Sequence, residues 1–284
     1  MSPAALSTTL QCTLLLAGAI LGYRRFRSER QRARANEPHP LPLWEIEGYA
    51  FAFAVLRVVV VTFGFQFAAS SLMSYFQPGF DFTKGHGLLF VAASSQVGML
   101  LGLAIALHFM PKQQPPPPWE ETPAFPPRLA SSRVPLAAIE AFLITTAAVT
   151  ALTYAWRFTL QAMNIDAPEQ EMVELLRLSD GLGKPLTVVL LACVLAPVTE
   201  EAIFRGGLFR FARGRMPRYL AFLIPSLLFG LVHFSLAALP GLILLSLLFS
   251  YAYERTGRIA VPMIAHALFN LNTLVLTLVE RGNG

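Results

Sequence analysis

Residues Leu186-Thr-Val-Val-Leu-Leu-Ala-Cys-Val-Leu-Ala-Pro-Val-Thr-Glu-Glu-Ala-Ile-Phe204 form an almost unbroken apolar run with two adjacent acids near its end, Glu200 and Glu201. An acid at the centre of a membrane helix costs about +2.5 to +3.5 kcal/mol on insertion scales. Two further apolar stretches downstream each hold one histidine, His233 and His266. Ionisable groups in three apolar segments need compensation, and the simplest arrangement makes the segments meet so that the groups face one another. The run therefore predicts a membrane helix and a polar site shared between helices.

Composition agrees. The 284 residues are 55% hydrophobic and 14% charged, where soluble domains carry about 25% charged residues. The chain reads as an all-α, polytopic membrane helix bundle. Cys12 and Cys193 lie in apolar stretches without CxxC spacing, so neither a disulfide framework nor a thiolate metal site is implied. The net charge of +5 does not point to nucleic acid, because the basic residues fall in short loops between spans.

Runs of about 20 apolar residues give eight candidate transmembrane helices, roughly 5–22, 46–70, 86–110, 135–160, 185–204, 219–236, 238–254 and 259–279. The first is not a cleavable signal peptide, because its charges follow rather than precede it. Arg24, Arg25, Arg27, Arg30, Arg32 and Arg34 then mark a cytoplasmic end and place Met1 outside. Threading the other spans keeps Lys112, Arg128, Arg133, the Arg205–Arg218 cluster, Arg255 and Arg258 inside. Only Lys84, Arg177, Lys184 and Arg281 fall in outside loops. The expectation is a multi-pass cell-membrane protein of bacterial inner-membrane type. Pro115–Pro118 read as a stiff polyproline spacer within a linker over 111–134. It divides a three-span region, 1–110, from a five-span domain, 135–284. Glu169 to Arg177 could form a short amphipathic helix on the membrane, and no inverted repeat of the transporter kind is visible.

Three patterns share a spacing of four. Glu201 and Arg205 suit an ion pair along one helix face, which leaves Glu200 about 100° away and free. Phe229 and His233 form a second pair, and His266 and Asn270 a third. A carboxylate beside an imidazole can hold and deprotonate a water. A second imidazole and a carboxamide can donate hydrogen bonds to an oxyanion. Together they suffice for peptide hydrolysis within a membrane. Glu200, His233 and His266 could instead ligate a divalent metal such as zinc. There is no HExxH helix and no G-x-S-x-G elbow. Asn270 could also simply bond a neighbouring helix backbone.

The ordered set E-E-x-x-x-R, F-x-x-x-H and H-x-x-x-N resembles the CPBP family of intramembrane proteases, which groups type II CaaX prenyl proteases with bacteriocin-processing enzymes. Tyr253-Glu-Arg-Thr-Gly-Arg258 is similar to that family's stretch before the last span. The likeness covers about 185–275. It implies that Glu200 activates water with His233 as partner, that His266 and Asn270 form the oxyanion side, and that Glu201 and Arg205 support them. It implies a peptide or membrane-protein substrate within the lipid bilayer, and leaves metal dependence open. A non-catalytic scaffold, a bacteriocin-immunity protein and a proton-coupled transporter are the competing classes.

Counting rises of 1.5 Å per residue puts the three polar groups at unequal depths unless Arg205 is itself inside the membrane, paired to Glu201. On that basis the expected site is a wet cavity reaching toward the midplane from the cytoplasmic side.

Overall fold

The computed structural model describes residues 3–35, 41, 44, 46–111, 128–166 and 183–282. Among these the protein is entirely helical, without strands. Eight helices follow the eight predicted spans: α1 (Pro3–Ala35), α2 (Gly48–Phe76), α3 (His86–His108), α4 (Val134–Ala162), α5 (183–213), α6 (Arg218–Leu231), α7 (Leu239–Thr256) and α8 (Ala260–Gly282). Five stretches are long and apolar enough to cross a membrane: Gly48–Phe76, His86–His108, Ser131–Ala162, Leu186–Arg213 and Ala260–Val279. The polyproline run and the proposed amphipathic helix at Glu169–Arg177 lie outside the described residues.

α2 and α3 form a tight pair because Gly98 and Gly102 lie one helical turn apart on the face that meets α2. A Cβ on Gly98 would stand 3.0 Å from the Thr62 backbone, and one on Gly102 would stand 2.9 Å from the Val58 backbone. This is the small-xxx-small device that lets membrane helices touch backbone to backbone. Gly102→Val is expected to lower stability by about 1–3 kcal/mol through overpacking, read as earlier thermal aggregation in detergent. The three N-terminal helices do not stand apart from the rest. α1 lies along α4, and α3 packs on α5.

α5 carries a proline, Pro197, within a continuous helix. Proline has no N–H for the carbonyl four residues earlier and its ring crowds that carbonyl. The helix accommodates it by winding Leu191–Leu195, just before it, in the wider π form. Ala202–Phe209 is π-wound as well.

One end of the bundle is tied together by polar bonds. Glu254 of α7 takes Arg213 Nε at 2.6 Å and Arg218 Nη2 at 2.6 Å. Leu129 N–H donates to Thr256 O at 3.0 Å, and Arg258 Nε donates to Leu129 O at 2.7 Å. From that end α6 rises 14 residues and α7 returns over 18, about 21 and 27 Å. Their neighbour α4 has 29 residues, about 43 Å. The α6–α7 hairpin is thus the short member of the bundle. Gly230 sets its closeness, since a Cβ there would meet Ile243 Cγ1 at 2.8 Å.

The expected span 219–236 is corrected by this hairpin. α6 stops at Leu231, and Val232 to Ala238 form the turn, with Phe234 in the left-handed region at φ 48°. His233 therefore sits just past the helix end and not on a helical face.

Candidate active site

The acids of α5 face two different partners. Glu201 and Arg205 form the ion pair that their spacing predicts, Nη1 to Oε1 at 2.9 Å, and both side chains are fully buried. The Arg205 guanidinium lies 4.7 Å from the Phe229 ring centre and 5.5 Å from that of Phe249, so aromatic faces stand where water would otherwise solvate it. The same Glu201 Oε1 accepts a hydrogen bond from His266 Nδ1 at 2.9 Å. Glu201 is therefore shared between an arginine and an imidazole. Spacing alone anticipates only the first contact.

Glu200 points the other way. Its Oε2 lies 3.9 Å from His233 Nε2 and 3.9 Å from His266 Nε2. Both distances exceed a direct hydrogen bond, yet α5, the α6–α7 turn and α8 converge on one carboxylate oxygen. That oxygen is buried and makes no protein hydrogen bond.

The tautomers follow from the partners. His233 Nδ1 sits 2.6 Å from Phe229 O, a group that can only accept, so Nδ1 carries the proton. His266 Nδ1 likewise donates to the Glu201 carboxylate. When neutral, each ring presents a lone pair on Nε2 toward Glu200.

Asn270 Nδ2 donates to Ala192 O at 2.7 Å. Ala192 belongs to the π-wound stretch before Pro197, where the backbone pattern is altered and a side-chain donor is useful. The amide thus makes the interhelix bond that was the alternative reading, and it keeps a second N–H.

Glu200, His233, His266 and Asn270 all line one cavity of about 550 Å³. Its walls add residues that sequence reasoning missed, among them Gln96, Thr153, Arg157, Ser235 and Thr277. Gln96 Oε1 accepts a hydrogen bond from Thr199 Oγ1 at 2.8 Å, which fixes α3 against α5 one residue from Glu200. Phe249, also missed, closes the arginine's pocket. None of them belongs to a recognisable motif, and even Thr153 and Arg157, four apart on α4, carry no local signal that marks a site.

The donor atoms at Glu200, His233 and His266 are of zinc-ligand type, and Glu200 Oε2 stands 3.9 Å from each imidazole Nε2. Among the described residues no group of three or more His, Cys, Asp or Glu side chains is arranged to hold a metal ion.

Residues 182–272 match the family model described as type II CAAX prenyl endopeptidase Rce1-like. One similar protein, from Bacillus subtilis (strain 168) and provisionally named membrane peptidase YdiL, is 32% identical over 91 residues, which is 32% of this chain and 37% of that protein. Another, the membrane-embedded CAAX protease MroQ of Staphylococcus aureus (strain USA300), is 38% identical over 85 residues, 27% of this chain and 34% of that protein. The chain thus spans little more than a third of the length of either curated relative. No solved structure matches. The matched segment of this multi-pass membrane protein holds Glu200, Glu201, Arg205, His233, His266 and Asn270, so the resemblance read from the sequence and the likeness to the Rce1-like family model fall on the same residues.

Proposed function

We propose that the protein is an intramembrane endopeptidase that hydrolyses a peptide bond with a water activated by Glu200. The observation that carries this reading is the convergence of Glu200 Oε2 with two imidazole Nε2 atoms, each at 3.9 Å, inside a cavity of about 550 Å³. A carboxylate oxygen and two nitrogen lone pairs facing one another call for a shared donor, and water is the smallest group with two protons to give. Glu200 takes one proton from that water as its oxygen attacks the scissile carbonyl carbon. The carboxylic acid then returns the proton to the departing amine nitrogen as the C–N bond breaks. His233 Nε2 orients the attacking water. His266 Nε2, protonated from solvent before the attack, donates to the oxyanion and keeps that proton when the intermediate collapses, with the Glu201 carboxylate stabilising the imidazolium from the Nδ1 side. The remaining Asn270 N–H supports the same oxyanion. This is a glutamate-type mechanism, with no step assigned to a metal.

The test uses the full chain in liposomes with an anchored reporter peptide. Cleavage is expected to survive chelator treatment and to be unaffected by added zinc, with metal content measured on the same sample. Loss of cleavage with chelator, restored by one equivalent of metal, would replace the glutamate-type reading with a metal-assisted one. Solute flux that depends on Glu200, with no cleavage of any reporter, would favour the transporter class.

A further inference from the structure

We infer that Gln96 of α3, outside the segment that the family model matches, is a substrate-binding residue whose side-chain N–H groups donate to a backbone carbonyl of the peptide held in the catalytic cavity. This rests on the endopeptidase reading above and gives the N-terminal helices a part in it.

Gln96 lines the cavity beside Ser95, on the wall that α3 supplies. Its Oε1 lies 2.8 Å from Thr199 Oγ1. Thr199 directly precedes Glu200, and neighbouring Cα atoms are about 3.8 Å apart. Adding the side-chain lengths keeps the amide within roughly 14 Å of the Glu200 carboxylate, the reach of about four extended residues. A carbonyl that close to the scissile bond belongs to the part of a peptide whose placement decides which bond is cut.

The contact serves the amide more than the hydroxyl. Thr199 is fully buried, yet Leu195 O at 2.9 Å and Ala196 O at 3.1 Å accept from its Oγ1 within its own helix. That is the usual local solution for a helical threonine, so Thr199 does not depend on Gln96. Gln96 does gain a fixed orientation. With Oε1 turned to Thr199, its Nε2 has no protein hydrogen-bond partner among the described residues and is not sealed off from the cavity. Two N–H groups are left to whatever the cavity holds. A peptide carbonyl is the acceptor that a protease cavity brings to them.

The mounting suits a binding group. Ser94 Oγ and Ser95 Oγ, two residues and one residue before Gln96, both donate to Gln66 Oε1 of α2 at 2.8 Å. Gly98 and Gly102 seat the α3 backbone directly on α2. A donor carried on such a packed helix is held more precisely than one on a loop.

The experiment compares Gln96→Met with Thr199→Val on the full chain in liposomes. Both remove the contact between α3 and α5, but only the first removes the amide from the cavity. With an acyl-anchored fluorogenic peptide, Gln96→Met is expected to raise KM about 3- to 10-fold and to leave kcat within about twofold, as the loss of one ground-state hydrogen bond does. Thr199→Val is expected to raise KM less, and Gln96→Met added to it to raise KM further. Replacing the peptide's amides by alkenes one at a time is expected to find one position that weakens binding to the parent chain but not to Gln96→Met. The same affinities are read as Kd on chains that also carry Glu200→Gln, where no turnover is needed. KM and Kd unchanged by Gln96→Met would overturn the inference, whatever the melting temperature does, and leave Glu200-dependent cleavage standing. A Gln96-dependent Kd in a parent chain that cuts no reporter would uphold the binding role and remove the protease reading.

Discussion

Glu200→Gln is expected to lower peptide cleavage by at least about 100-fold, within the range of about 10²–10⁴ that a positioned acid–base group contributes. The replacement is close to isosteric, and Glu200 Oε2 makes no protein hydrogen bond that glutamine would lose. Thermal stability should hold or rise slightly, since a buried charge is removed from a site that gives it no direct ion pair. Turnover of an anchored peptide in liposomes and the melting temperature in detergent, measured on one preparation, separate chemistry from folding. Cleavage within about tenfold of the parent chain would be too small a loss for the water-activating group, and the mechanism would have to be moved to another residue.

The second large effect is on stability. Glu201→Gln leaves Arg205 as a fully buried cation whose Nη1 loses its carboxylate, while Nε and Nη2 already make no hydrogen bond. Breaking one side of a buried pair costs about 3–5 kcal/mol. The two faces of Phe229 and Phe249 recover only part of that, about 2 kcal/mol or more for a desolvated cation–π contact. Removing both charges together, with Glu201→Leu and Arg205→Leu, is expected to be much milder, because apolar side chains often replace a buried pair without loss. Activity follows a different pattern. Both variants deprive His266 Nδ1 of its carboxylate, so both should cleave slowly even where the double variant folds well. A double variant with full activity would show that Glu201 serves folding alone.

The bundle was legible because hydrocarbon leaves a strong mark on sequence: each helix needs a long apolar run, and eight such runs became eight helices. The Glu201–Arg205 pair was legible for a similar reason, since a spacing of four leaves little choice on a helix. What two adjacent acids could not reveal is which imidazole each would meet. The spacing is silent about rotation between helices, and His266 proved to touch Glu201 with one nitrogen while turning the other toward Glu200. The end of α6 was hidden as well, because the apolar run continues past Leu231 and the turn at Phe234 is imposed by the return of α7. The Gly98–Gly102 pair was a readable signal for helix contact that the span count did not use. The depth argument did point to Arg205 lying inside the membrane.

A beam gripped at one end bends most at its tip. The α6–α7 pair is gripped where Glu254 holds two arginines, and His233 rides the opposite extremity. His266, by contrast, is held within the first third of α8 by Glu201. Closing a 3.9 Å gap to a working contact takes a displacement of about 1 Å. That travel would fall to the tip, which α4 braces through the Trp156 N–H bond to Leu236 O at 2.9 Å, while the root stays anchored.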